Sequence, residues 1–518
     1  MAISQRKAAV IISYATQFVH ILSALLYTPL MLRVLGQSEY GTYQMVSSIV
    51  SYLGLFSLGF GSSYTKFYMR YAVKNDHEGV ARLNGMFLIV FTVIAAIAGI
   101  CGGFMVYNIR GFLGDGLTQE EYSTATVLMK VMVLNLVLSF FSSVFDCIVT
   151  AREEFILQRT LSFFQILLNP LITLPLLLSG MGSVGMVMVS TVLAIGKFVV
   201  TVIFCLKKLH VRFSVSGLSF PLLKEIWGFT FYIFLNQILD QVSWTLDKYL
   251  LGRMSGTTAV AVYGVAGQLN SLYLQFSGSI SGPFAPKINR IVARDDNAEE
   301  LSRLFIKVGR LQAFLLFLFI SGYILFGEIF VILWGGPEYE MSYYVGLFLM
   351  VPVTVALMQN LGIEIQRAKN KHKVRSLVYF VIAIGNVLIS IPLIRRFGAV
   401  GAAAGTAVSF IPGTILFMNC YYYYALGLDI PGFWKQIGRI IVAALPAFVL
   451  GFGIWRFCRV ENWQELILAA SIYSAAYCLC IYLWGMNSRE KEQVHAIFRR
   501  FTSSRKGRNS KKNGRHRK

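Results

Sequence analysis

Charged residues are scarce in this chain of 518 residues, at 14% of the total, and acidic residues are rarer than basic ones, 25 against 47. Hydrophobic residues make up 56%, and the mean hydropathy is +0.62. Soluble globular domains have about 25% charged residues. The composition therefore excludes an ordinary soluble protein and predicts an all-α polytopic membrane protein.

Sequence motifs for catalysis and metal binding are missing. We find no P-loop, HExxH, nucleophile elbow or carboxylate pair at catalytic spacing, which argues against an ATP-driven pump and against an enzyme. The seven cysteines show no metal-ligand spacing. We predict no cofactor and no metal site, and we leave coupling to protons or sodium ions open.

Apolar runs predict about 14 transmembrane helices. Their approximate cores are residues 9–33, 42–64, 85–107, 124–148, 160–179, 184–206, 228–251, 259–283, 309–333, 343–365, 376–394, 399–420, 438–456 and 464–485. The outer loops are short, so an outer domain for a lipid-linked polysaccharide polymerase is not available. That enzyme is a disfavoured alternative from another functional class.

The net charge of +22 follows from topology. Most basic residues lie in alternate loops and in the segment after residue 486, so the positive-inside rule predicts both termini in the cytoplasm. The basic tail, residues 487–518, should be disordered and bind anionic lipids rather than nucleic acid. The outer segments hold only Arg33, Arg110, Arg253, Arg395, Arg396, Arg456 and Arg459.

An internal repeat with a period near 218 residues, or six spans, divides the chain. Asn169 and Pro175 match Asn386 and Pro392 at an offset of 217, and Gly182 matches Gly398 after a one-residue gap. A weaker match sets Gly36 over Gly252 and Tyr43 over Tyr263. The repeat predicts two parallel six-helix lobes, residues 1–210 and 211–430, around a central cleft, with two further helices in residues 431–486.

The span at residues 228–251 carries more polar side chains than a lipid-facing helix tolerates. Asn236, Asp240, Ser243 and Asp247 share one helical face, which either lines a hydrophilic path or only holds helices together. We expect the spans numbered one, two, four, six, seven and eight to line the cleft. The candidate residues for sugar hydroxyls or a coupling ion are Asn236, Gln237, Asp240, Asp247, Lys248, Gln268 and Gln275.

Two lysines lie within spans of the first lobe and are candidates for an anionic ligand. Lys197 shares a stripe with Ser190 and Thr201, and Lys130 lies about two turns inside the outer end of span four. An ammonium at this depth needs an anion, which either the ligand or Asp146 could supply. Arg33 and Lys66, at the ends of spans one and two, are further candidates, although long basic side chains there usually extend to head groups.

The segment LYTPLMLRVLGQSEYGTYQMVSSIVSYLGLFSLGFGSSYTKF, from Leu26 to Phe67, resembles the start of Wzx-type polysaccharide-unit flippases. These belong to the multidrug/oligosaccharidyl-lipid/polysaccharide (MOP) exporter superfamily. Together with the span count and the repeat, the resemblance implies a fold like that of the MATE exporters and of MurJ. It also implies cationic residues in a central cavity for a diphosphate, which Lys130 and Lys197 match in kind.

The resemblance implies transport of undecaprenyl-diphosphate-linked oligosaccharide across the bacterial cytoplasmic membrane for capsule, exopolysaccharide or wall-polymer synthesis. Polysaccharide polymerase and glycosyltransferases would be partners. A cation-coupled MATE-type multidrug exporter and a peptidoglycan-precursor flippase are the alternatives within the same fold. An exporter of cationic drugs would prefer acidic residues, and the two lysines within spans argue against it.

Overall fold

The structure is a computed structural model of the chain, and it describes residues 2–57, 60–114, 116–214, 220–369, 371 and 373–496. Regular structure in these residues is helical, as predicted. The α-helices are α1 Ala2–Leu53, α2 Phe60–Ala72, α3 His77–Tyr107, α4 Ile109–Leu113, α5 Gln119–Ala151, α6 Phe155–Leu178, α7 Gly182–Lys207, α8 Phe220–Ser255, α9 Thr257–Ser281, α10 Ala285–Arg294, α11 Ala298–Gly335, α12 Met341–Met358, α13 Asn360–Ala368, α14 Lys373–Phe410, α15 Met418–Tyr424, α16 Ile430–Phe457 and α17 Trp463–Cys480.

Shorter helical segments complete the described chain. Gly54–Ser57, Gly282–Phe284 and Pro337–Tyr339 are 3-10 turns, and Ile411–Phe417 and Ile481–Gly485 are π-helical. Residues 488–496 are helical again. A π-helical segment locally changes which side chains share a face of the helix.

Within the described residues, 10 helical segments are long and apolar enough to cross a membrane. Two of them contain a break, at Gly36 in α1 and at Gly398 in α14, so that each comprises two predicted spans. The predicted spans at residues 228–251 and 259–283 fall on α8 and α9, which are too polar to be among the 10. The chain is a multi-pass membrane protein, and the count of 14 spans stays a prediction.

Glycines with positive φ mark the breaks and agree with the predicted duplication. Gly182 and Gly398 have φ of 56° and 55° and lie at matching positions of the repeat. Gly36, with φ of 70°, breaks α1, and Gly256, with φ of 84°, separates α8 from α9. The structural equivalent of Gly36 is therefore Gly256 and not Gly252. This corrects the weaker match. With Gly36 aligned to Gly256 and Tyr43 to Tyr263, the intervening segments of the two copies have the same length.

The chain forms two compact units. The first comprises the described parts of Met1–Leu272, Trp334–Pro352 and Lys373–Thr414, and the second those of Tyr273–Leu333, Val353–His372 and Ile415–Lys518. The predicted lobe boundaries near residues 210 and 430 come from the repeat and stay a prediction. Aromatic side chains of α2 and α3, among them Phe60, Tyr64 and Phe87, pack together in the core of the first unit.

An almost fully buried arginine holds the second unit together. The Arg310 side chain of α11 is 3% exposed, and its guanidinium donates to both Glu490 carboxylate oxygens at 2.8 and 2.7 Å. It also donates to Gln436 Oε1 of α16 and to the Gly485 carbonyl, at 2.9 and 2.8 Å. Burial alone would raise the pKa of Glu490, but hydrogen bonds from Arg310 and from the Asn487 amide outweigh it and lower the pKa.

Helices α1 and α9 approach closely at Gly41, where an added Cβ would overlap the Thr257 carbonyl oxygen. We therefore expect Gly41→Ala to lower the free energy of unfolding by about 1–3 kcal/mol, the usual cost of overpacking. Thermal unfolding of the purified protein in detergent measures this. Gly103→Ala on α3, where a Cβ would meet nothing within 4 Å, is the control and should cost nothing. Equal stability of the two variants would show that this contact is not tight.

Candidate functional site: a polar cavity and a buried carboxylate network

The first unit contains a cavity of about 690 Å³. Side chains of α1, α5, α6, α7 and α9 line it, which correspond to predicted spans one, two, four, five, six and eight. Span five was not expected there. The polar residues of the lining are His20, Ser23, Tyr27, Thr28, Tyr40, Tyr43, Gln44, Ser47, Ser51, Asn135, Ser139, Gln165, Asn169, Ser190 and Gln268.

Six of the 15 polar lining residues form hydrogen-bonded pairs with each other, among them Gln44 with Tyr40. Asn169 of α6 donates to Ser190 of α7 at 2.9 Å, and Gln268 of α9 donates to Thr28 of α1 at 2.7 Å. Such bonds between helices satisfy polar groups that lipid could not satisfy. These bonds connect α6 to α7 and α9 to α1.

Other cavity side chains make no hydrogen bond within the described chain. They are the amides of Asn135 and Gln165 and the hydroxyls of Ser23 and Ser47. Each amide offers two donors and an acceptor with two lone pairs. These groups are available to a ligand.

The lining residue His20 also holds a buried polar atom, Nδ1, without a partner in the described structure. A buried polar atom left unpaired costs about 1–3 kcal/mol. Such atoms in native proteins call for an explanation, and a ligand that enters the cavity would supply one.

A second polar set surrounds Asp247 of α8, which is 2% exposed. Its carboxylate accepts from Tyr263 OH at 2.8 Å, from Thr406 Oγ1 at 2.7 Å and more weakly from Asn386 Nδ2 at 3.5 Å. No cation pairs with it in the described part of the chain. A carboxylate buried in this way gains stability from a bound proton or a small cation.

The two polar sets occupy matching positions of the repeat. Asn169 with Ser190 corresponds to Asn386 with Thr406, and in the second copy Thr406 Oγ1 donates to Asn386 Oδ1 at 3.3 Å. The offset of 220 residues that pairs Tyr43 with Tyr263 also pairs Tyr27 with Asp247. One framework therefore carries an uncharged phenol in the first copy and an acid in the second.

The structure does not bring the two predicted lysines into the cavity. Lys197 Nζ lies 3.4 Å from Asp146 Oδ2, and the two side chains are 23% and 26% exposed. Lys130 is exposed on α5 and lies about 200° around the helix from cavity-lining Met132. Arg33 and Lys66 are exposed as well. Their roles in ligand binding stay predictions.

Of the predicted polar residues, Gln268 lies in the cavity wall, and Lys248 lies behind it, where its Nζ donates to Gln44 at 3.0 Å. Gln237 is half-buried with its Oε1 unpaired, and Gln275 is half-buried in the second unit. The side chains of Asn236 and Asp240 lie outside the described part of the structure.

The contact with Asp146 gives a test of what Lys197 does. A purely structural role for this ion pair predicts that Lys197→Met lowers the free energy of unfolding by about 1–3 kcal/mol and also lowers transport. This loss lies between the values for exposed and buried ion pairs. It further predicts that Lys197→Met with Asp146→Asn restores both. We would measure thermal unfolding and transport in liposomes. If the double variant were stable but inactive, the lysine would be needed for the ligand.

Sequence reasoning missed Gln165 and Asn169 of span five as lining residues. Asn169 entered only as a marker of the repeat, although an Asn four residues after a Gln in an apolar run is itself a signal for a polar face. Asn135 and Ser139 of span four show the same spacing of polar residues in an apolar run.

Comparisons with known proteins agree with this architecture. Residues 6–292, more than half of the chain, match the model of a family described as polysaccharide biosynthesis protein. The chain is 20% identical over 486 residues to the uncharacterized membrane protein EpsK of Bacillus subtilis, with 91% of this chain and 94% of EpsK covered. It is 22% identical to the probable low-salt glycan biosynthesis flippase Agl15 of Haloferax volcanii, over 52% of this chain and 56% of Agl15.

Solved structures show the same fold at low identity. The lipid II flippase MurJ in an inward closed conformation superposes with a TM-score of 0.71 at 13% identity, with 92% of this chain and 98% of MurJ covered. An inward-facing MATE family multidrug transporter gives 0.62 at 14% identity, with 80% and 95% covered. The chain therefore belongs to the polysaccharide biosynthesis protein family, and it has the fold of the MOP-superfamily flippases and exporters that its sequence predicts.

Proposed function

We propose that the protein is a flippase that moves undecaprenyl-diphosphate-linked oligosaccharides across the bacterial cytoplasmic membrane by alternating access. The observation that carries the proposal is a cavity of about 690 Å³, lined by amides and hydroxyls, inside a chain that is otherwise apolar. This volume lies within the roughly 300–1,000 Å³ of small-molecule sites. A polar sugar head cannot cross hydrocarbon unaided, and such a cavity would shelter it while the lipid tail stays in the bilayer.

The family and the relatives support this proposal. The matched family is one of polysaccharide biosynthesis, Agl15 is a probable flippase of glycan biosynthesis, and MurJ is a lipid II flippase. The product would serve capsule, exopolysaccharide or wall-polymer synthesis, with polymerase and glycosyltransferases as partners. Both termini would face the cytoplasm, as the positive-inside rule predicts.

Asp247 is the candidate site for the coupling ion. Asp247 is buried and takes hydrogen bonds from Tyr263, Thr406 and Asn386, without a cationic partner in the described residues. A proton or a sodium ion would neutralise the carboxylate, and the hydroxyl oxygens of Tyr263 and Thr406 beside it suit a hard cation. Binding of the ion there would favour one conformation over the other.

A MATE-type drug exporter shares the fold but fits the cavity less well. An organic cation inside a membrane protein favours an acidic partner, and none of the described lining residues is Asp or Glu. The proposal requires no covalent step, and accordingly no catalytic residue is assigned.

Reconstitution tests the proposal. Purified protein in liposomes that carry a polyprenyl-diphosphate-linked oligosaccharide should make the inner pool accessible to a membrane-impermeant lectin faster than protein-free liposomes do. The same assay with lipid II in parallel liposomes would distinguish a wall-precursor flippase from a flippase of oligosaccharide units. If a cationic dye were exported while the lectin signal stayed at background, the protein would be a drug exporter instead.

A further inference from the structure

We propose that Lys248 is a positioning residue that gives the cavity wall a fixed hydrogen-bond donor, the hydroxyl of Tyr40, for an oxygen atom of the substrate's head group. The inference rests on the proposed function and adds how one part of the cavity selects its ligand. It starts from two hydrogen bonds that run in series from α8 to α1. Lys248 Nζ donates to Gln44 Oε1 at 3.0 Å, and Gln44 Nε2 donates to Tyr40 OH at 2.6 Å.

The chemistry of lysine fixes the direction of this chain of hydrogen bonds. An ammonium group only donates, so Gln44 must turn its amide oxygen to Lys248. The amide nitrogen then faces Tyr40 and can only donate, so the hydroxyl of Tyr40 must accept. The hydroxyl proton of Tyr40 is left to donate to another group, since Tyr40 makes no further hydrogen bond within the described residues. Both Tyr40 and Gln44 line the cavity.

Packing on both sides holds the middle of the chain of hydrogen bonds in place. A Cβ added at Gly264 of α9 would lie 3.1 Å from Gln44 Cγ and 3.3 Å from its Nε2, so the absence of a side chain there leaves room for the amide. On the other side, the ring of Tyr40 is buried and stacks with that of Tyr43, with 6.4 Å between the ring centroids. These contacts keep Gln44 between Lys248 and Tyr40.

A donor of this kind suits an oxygen acceptor. Hydrogen bonds in series polarise one another where the dielectric is low, so the charge of Lys248 strengthens the donor at the far end. The substrate of the proposed function carries two kinds of acceptor, the charged oxygens of its diphosphate and the uncharged oxygens of its saccharide. Both accept from a hydroxyl, and charged acceptors form the stronger bonds. The experiment below distinguishes the two sources.

Retention of substrate by variants tests the assignment. We would incubate each purified protein with a polyprenyl-diphosphate-linked oligosaccharide below saturation and measure the retained amount by mass spectrometry. Tyr40→Phe removes only the donor and should lower retention roughly 10-fold, the usual effect of one lost hydrogen bond. Lys248→Met frees the amide of Gln44 to rotate and should lower retention by a similar factor. Lys248→Arg keeps a group that only donates and should stay within about 3-fold of the wild type.

Gln44→Glu separates this role from a purely structural one. A carboxylate pairs with Lys248 at least as well as the amide does, so the midpoint of thermal unfolding should stay the same or rise. A carboxylate cannot donate, however, and Tyr40 would donate to it instead of to a ligand. Retention should therefore fall roughly 10-fold in a protein that is no less stable. Tyr40→Phe should have no further effect in the Gln44→Glu background, because the donor is already lost.

Two exposed positions provide matched controls. Lys224→Met on α8 and Tyr107→Phe at the end of α3 should retain the wild-type amount. Polyprenyl diphosphate without the saccharide identifies the acceptor. If Tyr40→Phe lowers its retention as well, the acceptor is a phosphate oxygen. If Tyr40→Phe lowers only the retention of the complete substrate, the acceptor is a sugar oxygen. Either result supports the assignment of Tyr40 as the donor.

The outcomes separate this inference from the function on which it rests. Wild-type retention in Tyr40→Phe would overturn the inference, and so would an equal effect of Tyr40→Phe in the wild-type and Gln44→Glu backgrounds. A Lys248→Met protein that is less stable but retains the wild-type amount would show a structural role only. A wild-type protein that retains no lipid-linked saccharide would contradict the proposed function itself, and the inference with it.

Discussion

Arg310→Met should lower the free energy of unfolding by about 3–5 kcal/mol, the usual cost of breaking a buried ion pair. The variant would leave Glu490 without its cation and remove the hydrogen bonds to Gln436 and to the Gly485 carbonyl. These bonds connect α11 to α16 and to the segments at residues 481–496. Thermal unfolding in detergent, followed by size-exclusion chromatography, measures the loss.

Arg303→Met is the matched control on the same helix. Arg303 is 68% exposed and pairs with Glu299 one turn away, so its loss should cost about 0.5 kcal/mol or less. Glu490→Gln combined with Arg310→Met should recover part of the stability, because no charge then remains buried. Equal losses for Arg310→Met and Arg303→Met would show that the buried pair does not hold the unit together.

The pair also predicts a dependence on pH. The folded-state pKa of Glu490 is lowered, so its contribution to stability is complete above the ordinary carboxyl pKa and is lost as the pH falls through the lowered value. The wild type should therefore lose more stability on acidification than a variant that lacks the pair.

Asp247→Asn should abolish ion-driven transport without unfolding the protein. Asn can still accept from Tyr263 and Thr406, and the change removes a buried charge, so the thermal midpoint should stay the same or rise. Transport driven by a proton or sodium gradient should fall by roughly 100-fold, in the upper part of the usual range for coupling between sites. Liposomes with imposed gradients provide the measurement.

Asp247→Leu separates coupling from packing. It leaves Tyr263 and Asn386 without the acceptor of these bonds, at about 1–3 kcal/mol each, whereas Thr406 can still donate to Asn386 Oδ1, so this variant should be less stable as well as inactive. If Asp247→Asn kept gradient-stimulated transport, the carboxylate would be only a structural group.

Hydropathy and loop charge sufficed to predict a multi-pass helical chain, whereas the MOP fold was implied by the resemblance at Leu26 to Phe67. Apolar runs and basic loops depend on the bilayer alone, and they can be recognised without knowing how helices pack. The breaks at Gly36 and Gly398 fall between predicted spans, but the repeat matched only Gly398 to its structural equivalent, Gly182.

The electrostatics of the cavity could not be predicted in the same way. Whether Lys197 faces a ligand or Asp146 depends on the rotation of two helices whose residues lie 51 positions apart. Periodicity shows which residues share a face of one helix, but it does not show which helix packs against that face. Asp247 was likewise placed on a polar face, but its enclosure by Asn386 and Thr406 of α14 follows only from the tertiary packing.

Photocrosslinking from inside the cavity tests the central claim most directly. A benzoylphenylalanine in place of Ser47, which lines the cavity, should capture the saccharide part of the lipid-linked substrate in membranes, as detected by mass spectrometry. The same group in place of Ile97, which is exposed on α3, should capture no saccharide. Saccharide adducts at position 97 and none at position 47 would contradict passage of the sugar through this cavity.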